Sequence, residues 1–167
     1  ITAIGLNMSN VTLLGADESF AYNSDIHLET VPAAHEALRY DVNGDSHYLG
    51  YILCHKGLRV YHGGDGIPFD GLAERLHGVD VAILPVNGRD AFRREHGVPG
   101  NFTFDEASEL CRQAEIPVMI ACHFDMFSFN TVARAEIESK AERIETSRII
   151  IPDMNRFFIC NHEGGCV

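Results

Sequence analysis

Positive charge is scarce in this chain. Its 167 residues carry 13 Lys and Arg against 24 Asp and Glu, a formal net charge of −11 with histidine neutral. Arg93 and Arg94 are its only adjacent basic pair. No basic stripe exists to follow a phosphate backbone, which argues against nucleic acid as a partner. No apolar run approaches the length of a membrane span, and the longest, such as Val79–Val86, fit buried strands. The opening residues show no basic, apolar and small-residue succession, so no signal peptide is visible. Cys-x-x-Cys pairs are absent too, and five cysteines is an odd number. Cys54 and Cys122 end apolar runs, and Cys111 falls on a helix's apolar face. As small core residues these three suit a reducing cytoplasm, the expected setting, away from any membrane. Cys160 and Cys166 stay open.

What is present is an ordinary globular balance, 46% apolar and 22% charged, in a chain long enough for one domain with its own core. It begins at Ile1, already in mid-flow, and is expected to be a piece of a longer polypeptide. Strands are expected at Val11–Gly15, Asp25–Val31, His47–Cys54 and Leu58–His62, the last two forming a hairpin around His55–Lys56–Gly57. Pro68–His77 reads as a short helix stopped by Gly78, and Val79–Val86 as a strand covered on both faces. A polar loop runs on from Asn87–Gly88. Thr103-x-x-Glu106 is a capping-box pattern, followed by apolar residues at helical spacing. Val118–Cys122 is a further buried strand, Asn130–Glu145 a helix with Asn130 as its N-cap, and Ile149–Ile151 and Phe157–Cys160 are terminal strands. Strands outnumber helices and then alternate with them, which favours a layered α/β or α+β domain.

Three residues stand alike. His35, Asp65 and His123 each follow the C-terminal end of an apolar strand, where open sheets place ligand-binding groups. Asp65 lies within Gly63–Gly64–Asp65–Gly66, where glycine lets the backbone turn sharply and leaves room for a neighbour. Two imidazoles and a carboxylate suit zinc, manganese or iron. The alternative is three separate loop residues capping turns. Arg89 is either an anchor for an anionic substrate group or a surface or helix-capping residue. Asp125 either accepts a hydrogen bond from a ligating histidine or caps the following helix. Asn130 has a lesser claim on substrate. His62 reads as a packed strand residue, whereas His27, His47, His55, His77, His96 and His162 read as surface or turn positions. Phe124, Met126, Phe127 and Phe129 read as core or pocket wall.

The segments Val31–Pro32–Ala33–Ala34–His35–Glu36, Tyr61–His62–Gly63–Gly64–Asp65 and Ala121–Cys122–His123–Phe124–Asp125 resemble, in order and spacing, the last three metal-ligand motifs of the metallo-β-lactamase superfamily. More narrowly, YHGGDG, LPVNGR and CHFDMFSFN resemble the branch containing the L-ascorbate-6-phosphate lactonases. The similarity spans about Val11 to Cys160. It implies a four-layer α/β/β/α sandwich, α/β in class, of which residues 1–167 are a single partial domain, the C-terminal portion. It implies two divalent metal ions, with His35 a ligand of the first, Asp65 bridging both and His123 a ligand of the second. The implied function is hydrolysis of a small anionic lactone or ester by metal-bound hydroxide, with Asp65 tuning the metals. A phosphodiesterase on the same fold and a non-catalytic or degenerate binding module are the alternatives. The superfamily's H-x-H-x-D-H motif, which would complete the ligand set, is absent from these residues. A half-sandwich would expose the face its missing strands should cover, so the chain is expected to form a homo-oligomer or to associate with its N-terminal portion.

Overall fold

The computed structural model describes residues 5, 7–161 and 166; His162 lies outside them. Seven strands form one sheet in chain order: β1 (Ser19–Ala21), β2 (Ile26–Pro32), β3 (Leu49–His55), β4 (Leu58–His62), β5 (Val81–Pro85), β6 (Val118–Cys122) and β7 (Arg148–Ile150). Strands β1 to β4 pair antiparallel, and β4 to β7 pair parallel. Lys56 and Gly57, at φ 50° and 89°, turn β3 into β4. Positive φ at both central residues matches the twist of a two-residue hairpin.

Four α-helices, α1 (Leu72–Arg75), α2 (Ala91–Glu95), α3 (Phe104–Gln113) and α4 (Arg134–Ala141), and a 3-10 turn at Met8–Asn10 accompany the sheet. One face of the sheet, including Val31, Ile52, Tyr61, Leu84 and Met119, packs with Leu72 of α1, Ala107, Leu110 and Cys111 of α3, and Ile137 of α4. Alternation along each strand sends its other residues to the opposite face. There Val81, Val118 and Ile150 gather with Phe158, Cys160 and Cys166 of the C-terminal segment, in which Cys160 and Cys166 pair as a disulfide. Tyr51 and Leu53, also on this second face, remain exposed. The described residues thus supply one sheet and one helical layer, two layers of the implied four.

Several sequence expectations need correction. Residues 11–15 form no strand, because the Gly15 carbonyl accepts from Thr30 Oγ1 at 2.6 Å and its N–H donates to Glu18 at 2.8 Å. The helix expected over Pro68–His77 is a single turn, since Gly71 at φ 87° starts it late. Residues 91–95, expected as loop, form α2, capped by Asp90 Oδ1 accepting from the Arg93 N–H at 2.8 Å. The α3 capping box is present in full. Helix α4 begins at Arg134 with Ala133 as N-cap. Asn130 is not the cap, because its side chain is engaged elsewhere, as described below. Residues 157–159 form no strand and contribute to the second face only through packing.

On the helix-covered face, register brings His27, Cys54 and Arg59 side by side across three strands. Arg59 donates through both terminal nitrogens to Glu29, at 2.9 and 3.0 Å. This guanidinium holds the Glu29 carboxyl below its ordinary 4.5, although burial opposes it. The folded state therefore favours the ionised acid, so the pair's stabilisation is complete above about 4.5 and lost as pH falls through the lowered value. Acid melting followed by circular dichroism is expected to show this sensitivity, and Glu29→Gln to remove part of it; identical acid profiles would refute the assignment.

Candidate metal centre

Topology assembles the site. Strand β2 is antiparallel to β3 and β3 to β4, so β2 runs with β4; β5 and β6 run the same way. The segments after β2, β4, β5 and β6 consequently leave from one edge of the sheet. His35 follows β2, Asp65 follows β4, Asn87 to Arg89 follow β5, and His123 follows β6.

Asp65 Oδ1 and His123 Nε2 lie 3.5 Å apart, with the imidazole side chain 16% exposed and the carboxylate 54% exposed. His35 and Asp65 line one cleft, which also contains His47, Tyr48 and Gly63. The His35 ring meets Tyr48 edge-on, with centroids 5.8 Å apart. His123 and Asp125 hold φ of 60° and 54°, a conformation that L residues rarely adopt outside functional turns. His123 Nδ1 is buried without a hydrogen-bond partner among the described residues. Such an atom carries a desolvation cost unless a ligand or another segment satisfies it.

These donors fit part of a divalent-metal site: a carboxylate oxygen beside an imidazole nitrogen, with a second imidazole on the same cleft as the carboxylate. They are not a closed set. Among the described residues, the one trio whose donor atoms all lie within 4.8 Å of one another is His27, Glu29 and Cys54, on another part of the sheet. There Arg59 already occupies Glu29. Burial, with Glu29 second, pushes the Cys54 thiol up to about 11. Beside His123, burial and then the charge of Asp65 push the Cys122 thiol up to about 12.

The other sequence candidates are placed differently. Arg89 makes a forked ion pair with Glu106, at 2.6 and 2.5 Å, and donates to the Asn101 carbonyl at 3.1 Å. Asn130 Oδ1 accepts from Asn87 Nδ2 and from Arg93, both at 2.8 Å, and so ties the loop after β6 to the loop after β5. Asp125 is exposed; its N–H donates to Thr131 Oγ1 at 2.7 Å, and no hydrogen bond joins it to His123. His47, read from the sequence as a surface or turn position at the start of the expected strand His47–Cys54, precedes β3, which begins at Leu49, and the fold sets it beside His35 and Asp65.

The family model described as the beta-lactamase superfamily domain matches residues 3–124. The chain belongs to this superfamily. No curated protein matches it. Among solved structures it is similar to Igni18, described as a novel metallo hydrolase from the hyperthermophilic archaeon Ignicoccus hospitalis, with 18% identity and TM-score 0.63 over 84% of this chain and 56% of that one. It is also similar to an isothiocyanate hydrolase from Delia radicum gut bacteria, with 15% identity and TM-score 0.63 over 81% of this chain and 54% of that one. A third similar structure is the metallo-beta-lactamase fold protein YhfI from Bacillus subtilis, with 12% identity and TM-score 0.60 over 81% and 50%. At these identities the likeness is one of fold. The chain spans about half the length of these structures. The superfamily's fold implies a divalent metal, and no helix among the described residues is long and apolar enough to cross a membrane.

Proposed function

We propose that this chain contributes His35, Asp65 and His123 to a two-metal centre, zinc or manganese, in a hydrolase of the lactonase-like branch. Its substrate is a small anionic lactone or ester. The observation that carries this reading is the approach of Asp65 Oδ1 to His123 Nε2, 3.5 Å apart at the ends of β4 and β6. When bound, the metals would supply an activated water and polarise the scissile carbonyl. The chain's own residues do the rest. Asp65 presents negative charge toward the His123 imidazole, and the Gly63–Gly64 turn carries it out of the sheet without a side chain in the way. Phe127, its ring centre 6.4 Å from that of His123, gives the site an apolar wall. The remaining ligands come from an N-terminal portion, and the exposed Tyr51 and Leu53 on the sheet's second face favour its association.

Calorimetric titration of the chain with zinc and with manganese tests the reading. His123→Ala is expected to weaken uptake roughly tenfold or more, by loss of a ligand. Cys54→Ala, which disables the His27–Glu29–Cys54 trio, is expected to leave it unchanged. Equal affinity in His123→Ala would overturn the assignment. A non-catalytic binding module is the second reading, favoured because His35, Asp65 and His123 do not form a closed donor set among the described residues. Failure of the unaltered chain to take up either metal would favour it.

A further inference from the structure

A second cleft, about 330 Å³, shares His35 with the candidate centre and extends over Ile67, Arg89, Arg94, Pro99 and Gly100. Its size falls in the range of small-molecule sites. Its charges decide what it can hold. Glu36, on its rim, pairs with Arg39 at 3.0 Å, and Asp90 pairs with Arg93 at 2.7 Å. Arg89 is held by Glu106. Arg94, an exposed residue on the cleft's lining, is different: its guanidinium has no ion-pair or hydrogen-bond partner among the described residues, although the chain carries 24 carboxylates. The cleft is left with one uncompensated cation in a protein of net charge −11. Such a protein repels anions at long range, so capturing one requires a local cation of this kind.

We propose that Arg94 anchors the anionic end of the substrate, holding a carboxylate or phosphate group in this cleft while the rest of the molecule reaches past His35. This rests on the hydrolase reading for what happens at the other end of the molecule, but the anion site stands on its own residues. It moves the anchoring role from Arg89 to Arg94. The forked geometry that would suit Arg89 to an oxyanion is already spent on Glu106. The guanidinium of Arg94 offers the same fork unoccupied.

The probes are inorganic phosphate and acetate, titrated into the ¹⁵N-labelled full chain at constant ionic strength, with chloride as the baseline and a chelator present. Saturable shifts are expected at the Arg94 side chain and the Ala91 and Gly100 amides. Arg94→Gln is expected to weaken them roughly tenfold, the loss of a charged hydrogen-bond donor. Arg143→Gln, equally exposed but outside this cleft, is expected to change nothing. Preference for phosphate identifies a phosphate monoester end, and preference for acetate a carboxylate end. Response no greater than to chloride, or equal binding by Arg94→Gln, overturns the proposal. So does binding that appears only without the chelator, since the anion then sits on a metal and the metal centre is supported instead. Asp65→Ala is expected to keep the anion response whatever becomes of its metal uptake. Loss of that response in Asp65→Ala would overturn the separateness of the two sites.

Discussion

Asp65→Ala is expected to abolish hydrolysis by the completed enzyme and to remove one or both metals, while leaving the chain's melting behaviour nearly unchanged. These two outcomes have different physical origins. The Asp65 side chain is 54% exposed, and its ion-pair partner among the described residues is His123. Removing a mainly exposed carboxylate away from the core alters stability by no more than about 0.5 kcal/mol. Its place at the edge shared by β2, β4, β5 and β6 gives it a reach that folding does not require. Metal analysis by mass spectrometry, paired with thermal melting, separates the two effects. Full metal occupancy in the variant would eliminate the bridging role. A large drop in melting temperature would mean that Asp65 is structural. Asp65→Asn divides the effect further, since it retains the shape and removes the charge.

Gly100→Ala is expected to produce the opposite pattern, a large loss of stability from a single methyl group. A Cβ at Gly100 would fall within 3.0 Å of the Gly88 carbonyl oxygen and of the Arg89 Cα and Cβ. Two of these are backbone atoms and cannot rotate aside. The Asn101 N–H also donates to the Gly88 carbonyl at 3.1 Å, so the two loop segments cannot separate without breaking that bond. Overpacking against backbone is expected to cost about 3 kcal/mol or more, roughly 6–12 °C in melting temperature for a chain of this size. Gly97 provides the contrast. It has φ 73° but open space around its would-be Cβ, so Gly97→Ala is expected to cost only about 1 kcal/mol of backbone strain. Chemical denaturation of both variants checks the difference, and equal losses would refute the clash argument. Gly100 also lines the cleft containing Arg94, so its replacement is expected to disturb anion binding.

Strong periodicity and capping chemistry made much of the fold legible. Val118–Cys122 has the bounds expected from its apolar run, and Thr103 with Glu106 starts α3 as the capping box indicates. What the sequence hid was decided by contacts between distant residues. Strand β1 is three exposed residues, recognisable only through pairing with β2. Helix α2 has no buried residue and hence no apolar stripe to announce it. Asn130 looked like a cap because Asn often is one; its bond with Asn87 spans 43 positions, which no local pattern records. His35, Asp65 and His123, singled out because each follows a strand end, share one sheet edge because β2, β4 and β6 run in the same direction. His47 follows no strand end; it precedes β3, which runs the other way, and so reaches the same edge from its N-terminal end.

The chain-order arrangement of the sheet bears on how the protein is made. As the polypeptide leaves the ribosome, each strand meets an edge that its predecessor has just completed, so assembly can proceed vectorially. Short turns join β1 to β2 and β3 to β4, while residues 33–48 link β2 to β3. Arrival of β6 has to close the long excursion over residues 86–117, the largest loop-closure entropy in the parallel half. His123 follows that strand directly, so synthesis delivers His35 and Asp65 to a waiting edge and His123 to it last.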